Sequence, residues 1–266
     1  MFARAIKSIL HRIGLDVVRY QAEIVDPVDR AFRALRKLRD DYHQVDAREA
    51  AFVRFCCEKM PHSKSQLFQD LFALFQLNEK HGGYFVEFGA CDGIELSNTY
   101  LLESEYGWTG IVAEPAKSWH EKLRQNRSAA IDYRCVWAKS GETLTFNETP
   151  VRELSTINDF LNHDGRARRG LRSNGTIYPV DTVSLNDLLS EHKAPQQIDY
   201  LSVDTEGSEF TILSAFDFNR WQPQVVTVEH NHVEPTRSKI RSLMTVNGFR
   251  HVFSNMSAVD DWYVRR

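Results

Sequence analysis

The feature that most constrains this chain is a short apolar strand that runs directly into a glycine turn. Residues 84–93 read YFVEFGACDG, and their apolar run is rich in strand formers and too short for a helix. Gly89 permits a tight exit from the strand and close approach of the backbone to a ligand, and Gly93 permits close packing of the next segment. The stretch predicts a core strand that ends in a binding site, with the carboxylates of Glu87 and Asp92 beside the turn.

An acidic residue ends the next predicted strand, roughly 20 residues after the glycine turn. Residues 110–114 read GIVAE, and Pro115 stops the strand, so Glu114 falls at the carboxyl edge of the sheet. A carboxylate there suits bidentate hydrogen bonding to the two hydroxyls of a ribose. The pyrophosphate-binding spacing GxGxxG is absent, and Glu87 and Asp92 would repel a pyrophosphate. S-adenosylmethionine, which has a ribose and a positive centre, fits better.

Three motifs carry a resemblance to a known family. Residues 84–103 read YFVEFGACDGIELSNTYLLE, residues 107–115 read GWTGIVAEP, and residues 200–207 read YLSVDTEG. In this order and spacing they resemble the FkbM family of S-adenosylmethionine-dependent methyltransferases, from about Ser65 to the C-terminus. The resemblance implies the class I methyltransferase fold and a transferase that acts mostly on hydroxyl groups of sugars or natural products. It does not fix the acceptor.

The expected cofactor site draws on several segments. Polar residues 97–99 open a helix, where free backbone N–H groups point towards a ligand carboxylate, here that of methionine. Residues 135–137 lie beside the adenine, although Trp137 suits the core equally well. The resemblance implies that a helix capped by Ser65 lies over the pocket, so Gln69 either contacts the cofactor or belongs to a solvated face. The predicted cofactor-binding residues are Gln69, Glu87, Gly89, Asp92, Gly93, Ser97, Asn98, Thr99, Glu114, Pro115 and Val136.

Length and composition suit one enzyme domain with an extension. The chain has 266 residues and a formal charge of −3, which argues against a protein that coats nucleic acid. Its four cysteines have no metal-binding spacing and are predicted to be reduced thiols of a cytoplasmic protein. We expect an N-terminal helical extension over residues 1–62 and a methyltransferase domain over residues 63–266.

Residues 1–20 carry the one hint of membrane contact. Apolar residues recur there at helical spacing while basic residues occupy other faces, which predicts a basic amphipathic helix. Lys7, His11 and Arg12 interrupt any apolar run long enough for a signal peptide. Such a helix lies on the inner face of the membrane as a peripheral anchor, or it packs on its own domain or on a second subunit.

The segment from Gly141 to Gly175 loses the regular alternation of strands and helices, although a short strand is expected at residues 144–146. Its second part, residues 165–175, reads GRARRGLRSNG and predicts a basic loop. Long loops over the carboxyl edge of a sheet often cover active sites. The candidate ligands for an anionic acceptor are therefore Arg166, Arg168, Arg169 and Arg172, and a solvated loop is the alternative.

The rest of the chain alternates regularly between strands and helices. Core strands are predicted at residues 131–136, 198–203 and 225–229, and a terminal strand pair at 251–254 and 262–264. Repeated strand–helix units predict a mostly parallel sheet with helices on both faces. The closing pair resembles the antiparallel C-terminal hairpin of class I methyltransferases, so the predicted fold is α/β and Rossmann-like.

Polar residues follow two of these strands, at the edge where α/β sheets assemble sites. They are Asp204, Glu206, Glu229, His230 and Asn231. Methyl transfer from a sulfonium is an in-line displacement, so the protein must align the acceptor oxygen and help remove its proton.

Two mechanisms remain open for these residues. In one, His230 is the general base and Asp204 or Glu206 orients its ring, with Asn231 contacting the acceptor. In the other, Asp204, Glu229 and His230 hold Mg²⁺ or Mn²⁺, as in metal-dependent O-methyltransferases that this arrangement resembles. Strand-end acids that merely cap helices are a third interpretation.

The expected function is O-methylation of a hydroxyl on a sugar, polysaccharide or related small molecule. The alternative from another class is a non-catalytic cofactor-binding scaffold of a glycan-assembly complex, which a family resemblance does not exclude. A dehydrogenase or epimerase of nucleotide sugars is disfavoured because the pyrophosphate glycines are missing.

Overall fold

The computed structural model describes residues 27–41, 45–161, 170 and 172–266. The chain divides into two compact units, Met1–Ala50 and Ala51–Arg266. The predicted amphipathic helix at residues 1–20 and the loop residues Arg166, Arg168 and Arg169 lie outside the described residues, so these predictions stay predictions. The proposed domain boundary after residue 62 also stays a prediction.

The helices and strands follow one another in the alternating order that the sequence predicts. The helices are α1 (Pro27–Asp41), α2 (Ala47–Lys59), α3 (Gln69–Gln76), α4 (Tyr100–Tyr106), α5 (His120–Asn126), α6 (Leu185–Glu191), α7 (Glu209–Ser214) and α8 (Glu234–Val246). The strands are β1 (Tyr84–Phe88), β2 (Thr109–Ala113), β3 (Ala130–Asp132), β4 (Cys135–Trp137), β5 (Thr143–Glu148), β6 (Thr156–Ile157), β7 (Thr176–Ser184), β8 (Gln197–Val203), β9 (Gln222–Glu229), β10 (Phe249–Val252) and β11 (Asp260–Arg265). Short 3-10 turns span Arg152–Leu154 and Asn158–Phe160.

The first unit contains α1 and the start of α2. Helix α1 begins at a proline, which suits the first turn of a helix, and an Asp29–Arg33 ion pair of 2.8 Å links successive turns. Helix α2 follows Asp46, whose carboxylate accepts a hydrogen bond from the backbone N of Arg48 at 2.8 Å and caps the helix. Within the described residues, no helix combines the length and apolar character needed to cross a bilayer.

The main sheet has seven strands in the order β10-β11-β9-β8-β1-β2-β3. Five neighbouring strands run parallel, namely β3, β2, β1, β8 and β9. Strands β11 and β10 close the sheet as an antiparallel hairpin. Helices cover both faces of the sheet. Because side chains of a strand alternate between its faces, Phe85 packs with helices α2–α5 on one side and Val86 packs with α6–α8 on the other. The predicted mostly parallel α/β fold with helices on both faces is confirmed.

A second sheet has four strands in the order β4-β7-β5-β6, and two of them, β5 and β6, lie in the segment predicted to be irregular. It corrects the expectation of a single strand at residues 131–136, because β3 joins the main sheet and β4 pairs with β7. Between them Asp132 accepts hydrogen bonds from the backbone N of Arg134 at 2.9 Å and from its guanidinium. This side-chain turn ends β3 and redirects the chain.

Candidate active site

A pocket opens at the carboxyl edge of the main sheet, where the strand order reverses between β1 and β8. It encloses about 1080 Å³, including space open to solvent. Among the described residues that line it there is no lysine, arginine or histidine. The acidic residues that line it are Glu87, Glu95, Glu114, Glu153, Asp204, Glu206 and Glu229.

Gly89 brings the ends of β1 and β8 together at the floor of this pocket. Its φ is 72°, and a Cβ there would lie 2.3 Å from the carbonyl oxygen of Asp204. The backbone N of Gly89 donates to the carbonyl oxygen of Ala113 at 3.0 Å, which ties the turn to β2 as well. A side chain at this position would therefore force the two strand ends apart.

Glu87 lines the pocket, but its carboxylate is occupied by the segment that follows the turn. It accepts hydrogen bonds from the backbone N of Asn98 at 2.6 Å and from the hydroxyls of Ser97 and Thr99 at 3.0 and 2.5 Å. Ser97 Oγ in turn accepts from the backbone N of Thr99 and of Tyr100. The expectation that these N–H groups are free for a methionine carboxylate is wrong, because Glu87 and Ser97 already accept from them. Of the three residues 97–99, Asn98 lines the pocket.

Asp92 and Gly93 shape the turn and do not line the pocket. Asp92 Oδ1 accepts from the backbone N of Ile94 and of Glu95, both at 2.9 Å. A Cβ on Gly93 would lie 2.6 Å from Cγ of Arg127, so the predicted close packing of the next segment is present. Asp92 Oδ1 therefore caps its own turn, and direct cofactor contact by Asp92 stays a prediction.

Glu114 lies on the other side of the glycine turn, buried and lining the pocket together with Pro115 and Val136. Its two carboxylate oxygens accept from the backbone N of Cys91 at 2.9 Å and of Ala116 at 2.7 Å. Burial raises the pKa of Glu114 to about 7, against the lowering effect of these two donors. The geometry is that of a carboxylate held by backbone donors with acceptor capacity left for a ligand.

Gln69 also lines the pocket, as the first residue of α3. Its Nε2 donates to Asp260 Oδ2 at 2.9 Å, and its Oε1 accepts from the backbone N of Leu67. The helix starts later than predicted, after Phe68 with a φ of 62°, and Ser65 instead donates to the Asp70 carboxylate at 2.6 Å. The solvated-face alternative for Gln69 is wrong, because its side chain is buried.

Three carboxylates converge at the ends of β8 and β9. One ligand oxygen each of Asp204, Glu206 and Glu229 lies within 4.8 Å of the others. Burial, followed by the charges of Glu206 and Asp260, raises the pKa of Asp204 well above its usual range, although a hydrogen bond with Glu229 opposes the rise. Glu206 adopts a φ of 57°, a strained backbone conformation of the kind found at functional sites.

Arg172 and Asn231 supply the partners of this acidic group. Arg172 is buried, and its Nη2 donates to Glu206 Oε2 at 2.6 Å. Asn231 Nδ2 donates to Glu229 Oε2 at 2.6 Å and to Glu206 Oε2 at 3.3 Å. Neither residue lines the pocket, so the structure does not show the predicted acceptor contacts of Arg172 and Asn231. The three predicted metal ligands Asp204, Glu229 and His230 do not meet in the pocket, because Asp204 and Glu229 line it and His230 does not.

His230 does not face the pocket, which corrects the expectation that it stands beside Asp204. Successive residues of an extended strand point to opposite faces, so Glu229 enters the pocket and the next residue turns away. The buried His230 ring accepts from the backbone N of His232 at 3.0 Å, and its Nε2 lies 3.5 Å from Asp261 on the opposite face. Burial lowers the pKa of His230 to about 4. The predicted roles of His230 as a general base and as a metal ligand both require its ring to lie on the pocket side of the sheet edge.

The sequence matches the family model of the methyltransferase FkbM domain over residues 87–251, more than half of the chain. The chain belongs to the FkbM methyltransferase family. Its matched region contains the pocket-lining ends of β1, β2, β8 and β9, which agrees with the family resemblance of the sequence motifs. A search of curated proteins gives no significant match.

Several solved methyltransferase structures are distantly similar to this FkbM chain. One is a methyltransferase FkbM from Methylobacillus flagellatus KT, with 12% identity, a TM-score of 0.44 and coverage of 98% of this chain and 77% of that chain. A precorrin-6y C5,15-methyltransferase from Geobacter metallireducens GS-15 has 10% identity, a TM-score of 0.36 and coverage of 73% and 85%. The CurJ carbon methyltransferase has 10% identity, a TM-score of 0.36 and coverage of 98% and 78%.

Membership of the FkbM methyltransferase family implies S-adenosylmethionine, and the pocket fits it. Glu114 offers a buried carboxylate at the position expected for ribose hydroxyls. Gly89 leaves its turn open to close backbone approach. The acidic lining, without a described cationic side chain, suits a ligand with a positive sulfonium.

Some residues of this FkbM site carry no signal in the sequence patterns that predicted the others. Phe146 of β5 and Ile157 of β6 wall the pocket from the second sheet, together with residues 153–155. The short strand expected at residues 144–146 is confirmed within β5, but its sequence pattern does not indicate that it walls the pocket. Arg127, which binds Glu87 from beneath the pocket, has no pattern that marks it.

Proposed function

We propose that this protein is an S-adenosylmethionine-dependent O-methyltransferase that acts on a hydroxyl of a sugar, polysaccharide or related small molecule. The observation that supports it most is Asp204, a pocket-lining carboxylate whose pKa is raised by burial and by its acidic neighbours. A carboxylate with a raised pKa is a stronger general base than an ordinary one. Family membership supports methyl transfer, and the strand-end carboxylate supports a hydroxyl acceptor that must lose a proton.

S-adenosylmethionine, when bound, supplies an electrophilic methyl group. Glu114 would hold the ribose hydroxyls through its carboxylate, with Pro115 and Val136 against the base and the Gly89 turn against the cofactor backbone. Asp204 would take the hydroxyl proton of the acceptor on a carboxylate oxygen. Glu229 would orient Asp204 by donating a carboxyl O–H to it, which leaves Asp204 ionised as the base, and Arg172 would fix Glu206 beside them.

The acceptor is proposed to be neutral at the methylated end. The described lining residues include seven carboxylates and no cation, so an anionic group there would meet like charges. An anionic group elsewhere on the acceptor remains compatible with the predicted contacts of Arg168 and Arg169. Cytoplasmic location, and peripheral membrane contact or self-association through residues 1–20, are retained as proposals on the sequence pattern alone.

The test is transfer of a radiolabelled methyl group from S-adenosylmethionine to a panel of neutral sugars, amino sugars and uronic acids. We expect alkali-stable labelling of a hydroxyl on neutral sugars and weaker labelling of uronic acids. Labelling only at carbon or nitrogen would contradict O-methylation. Loss of transfer with EDTA and its recovery with Mg²⁺ would reassign the acidic group to a metal.

A further inference from the structure

Arg127 is buried directly beneath the cofactor pocket without lining it. It follows the last residue of α5, and its side chain is 0% exposed. The guanidinium donates to five acceptors on three segments of the chain. They are Glu103 Oε2 at 2.6 Å, Thr99 Oγ1 at 2.8 Å, Ser97 Oγ at 3.2 Å, Glu87 Oε2 at 3.3 Å and the Gly93 carbonyl oxygen at 3.3 Å.

These contacts join β1, the glycine turn and α4 at one point. The segment between Gly89 and Thr99 has no regular secondary structure, yet it supplies four pocket-lining residues besides the glycine itself. They are Cys91, Glu95, Leu96 and Asn98. Cys91 and Leu96 have φ values of 48° and 61°, conformations that surrounding structure must hold in place. Arg127 is a main tertiary support of this segment.

The planar, forked guanidinium makes the support specific to arginine, and its charge balances two buried carboxylates. Glu87 and Glu103 are both largely buried, and one guanidinium lies between them, at 3.3 and 2.6 Å. A lysine keeps the charge but is a compact point donor that cannot reach acceptors on both sides with planar, forked geometry. Removing the guanidinium would leave Glu87 in a buried position without its cation.

We propose that Arg127 is a positioning residue that sets cofactor affinity by holding Glu87 and residues 93–99 in their pocket-lining conformation. This inference rests on the proposed function, because it assumes that the pocket binds S-adenosylmethionine. Arg127 acts through Glu87 and the turn and touches no ligand itself.

The test compares Arg127→Lys with Arg124→Lys, the same substitution at an exposed position of the same helix. S-adenosylhomocysteine affinity is measured by calorimetry well below the melting temperature, with circular dichroism confirming the folded state. We expect Arg127→Lys to weaken binding about tenfold or more, the equivalent of one lost charge-assisted hydrogen bond. Arg124→Lys should bind like the wild type.

A purely structural role gives a different result. If Arg127→Lys unfolds at lower denaturant concentration but binds S-adenosylhomocysteine with wild-type affinity, the inference is wrong. Should Arg127→Lys fail to fold, the isosteric Thr99→Val decides, because it removes one hydroxyl between Glu87 and Arg127. We expect a loss of roughly threefold or more there, and unchanged affinity would overturn the inference. Absence of binding by the wild type would overturn the proposed function and the inference together.

Discussion

Two acidic groups lie at the same end of the sheet, on opposite faces of β9 and β11. On one face Asp261 binds Arg237 at 2.9 Å, Arg241 at 2.8 Å and His251 at 3.1 Å. On the other face, Asp260 contacts the amide of Gln69 at 2.9 Å, and the pocket carboxylates lie nearby. The two aspartates are neighbours in sequence and differ only in the face to which the strand directs them.

The pKa values of the two aspartates record this difference. Burial alone would raise the pKa of Asp261, but hydrogen bonds from His251, Arg241 and Arg237 outweigh it and hold the pKa far below its usual range. Burial raises the pKa of Asp260 to about 6, because its main partner is the neutral amide of Gln69, which offsets the effect of burial less than a cation would. Acids matched by cations hold a structure together, whereas buried acids without cations mark a candidate site for chemistry or ligands.

The largest expected effect comes from Asp204→Asn, on the cation-poor face. Removing a general base should lower turnover by roughly 10²–10⁴-fold, while S-adenosylhomocysteine affinity changes little because the amide has the same shape. The matched control is His230→Asn, at the end of the neighbouring strand but on the cation-rich face, which should keep most of the activity. Equal losses in both variants would remove the distinction between the faces.

The second prediction concerns the pH dependence of stability on the cation-rich face. Burial lowers the pKa of His230 from 6.5 to about 4, so between these values the unfolded chain takes up a proton that the folded chain does not. Stability from this group is complete above pH 6.5 and is lost as the pH falls towards 4, by about 3 kcal/mol. Asp261 and Arg237 face this ring, and Asp261 opposes the lowering.

Urea denaturation at pH 7 and pH 4.5 checks this with wild type and His230→Asn. The asparagine keeps an acceptor for the backbone N of His232 and does not titrate, so its stability should fall less on acidification than that of the wild type. The raised pKa values of buried Glu114 and Asp260 have the opposite effect, because their protonation on acidification favours the folded state. The informative quantity is therefore the difference between the two proteins in how their stability changes with pH. An identical pH dependence in both would show that His230 is not buried as neutral imidazole.

The smallest of these effects is expected for Glu114→Gln, on the ribose side of the pocket. A hydrogen bond to a charged group contributes about 1.5–3 kcal/mol, so S-adenosylhomocysteine affinity should fall roughly 10- to 100-fold. Glu121→Gln, exposed on α5, is the control and should bind normally. Unchanged affinity in a folded Glu114→Gln would place the ribose elsewhere.

The sequence predicted the main sheet well because its strands have strong local signals. Apolar runs, glycine turns and Pro115 marked β1 and β2, and the polar residues after β8 and β9 marked the edge. The fold class and the lining roles of Gly89, Glu114 and Asp204 followed from these signals. Each strand end at this edge of the sheet is marked by residues that are close together in sequence, so sequence patterns predict its position.

The failures have a common physical origin in side-chain direction and long-range pairing. His230 was expected in the site because it follows Glu229, but strand alternation directs it to Asp261, more than 30 residues away in sequence. Residues 131–136 were expected to form one strand, but their two halves pair with β2 and with β7. Arg127 meets Glu87 only through the fold, and no spacing in the sequence marks that pair.

The proposed methyl transfer depends most on binding of an adenosyl cofactor with a sulfur centre in the cation-poor pocket. Calorimetric titration of the wild-type protein with S-adenosylhomocysteine, and separately with NAD⁺, tests it directly. We predict saturable binding of S-adenosylhomocysteine and no binding of NAD⁺, whose pyrophosphate would meet Glu87 and the other lining acids. Saturable binding of NAD⁺, or no binding of S-adenosylhomocysteine, would contradict the proposed methyl transfer.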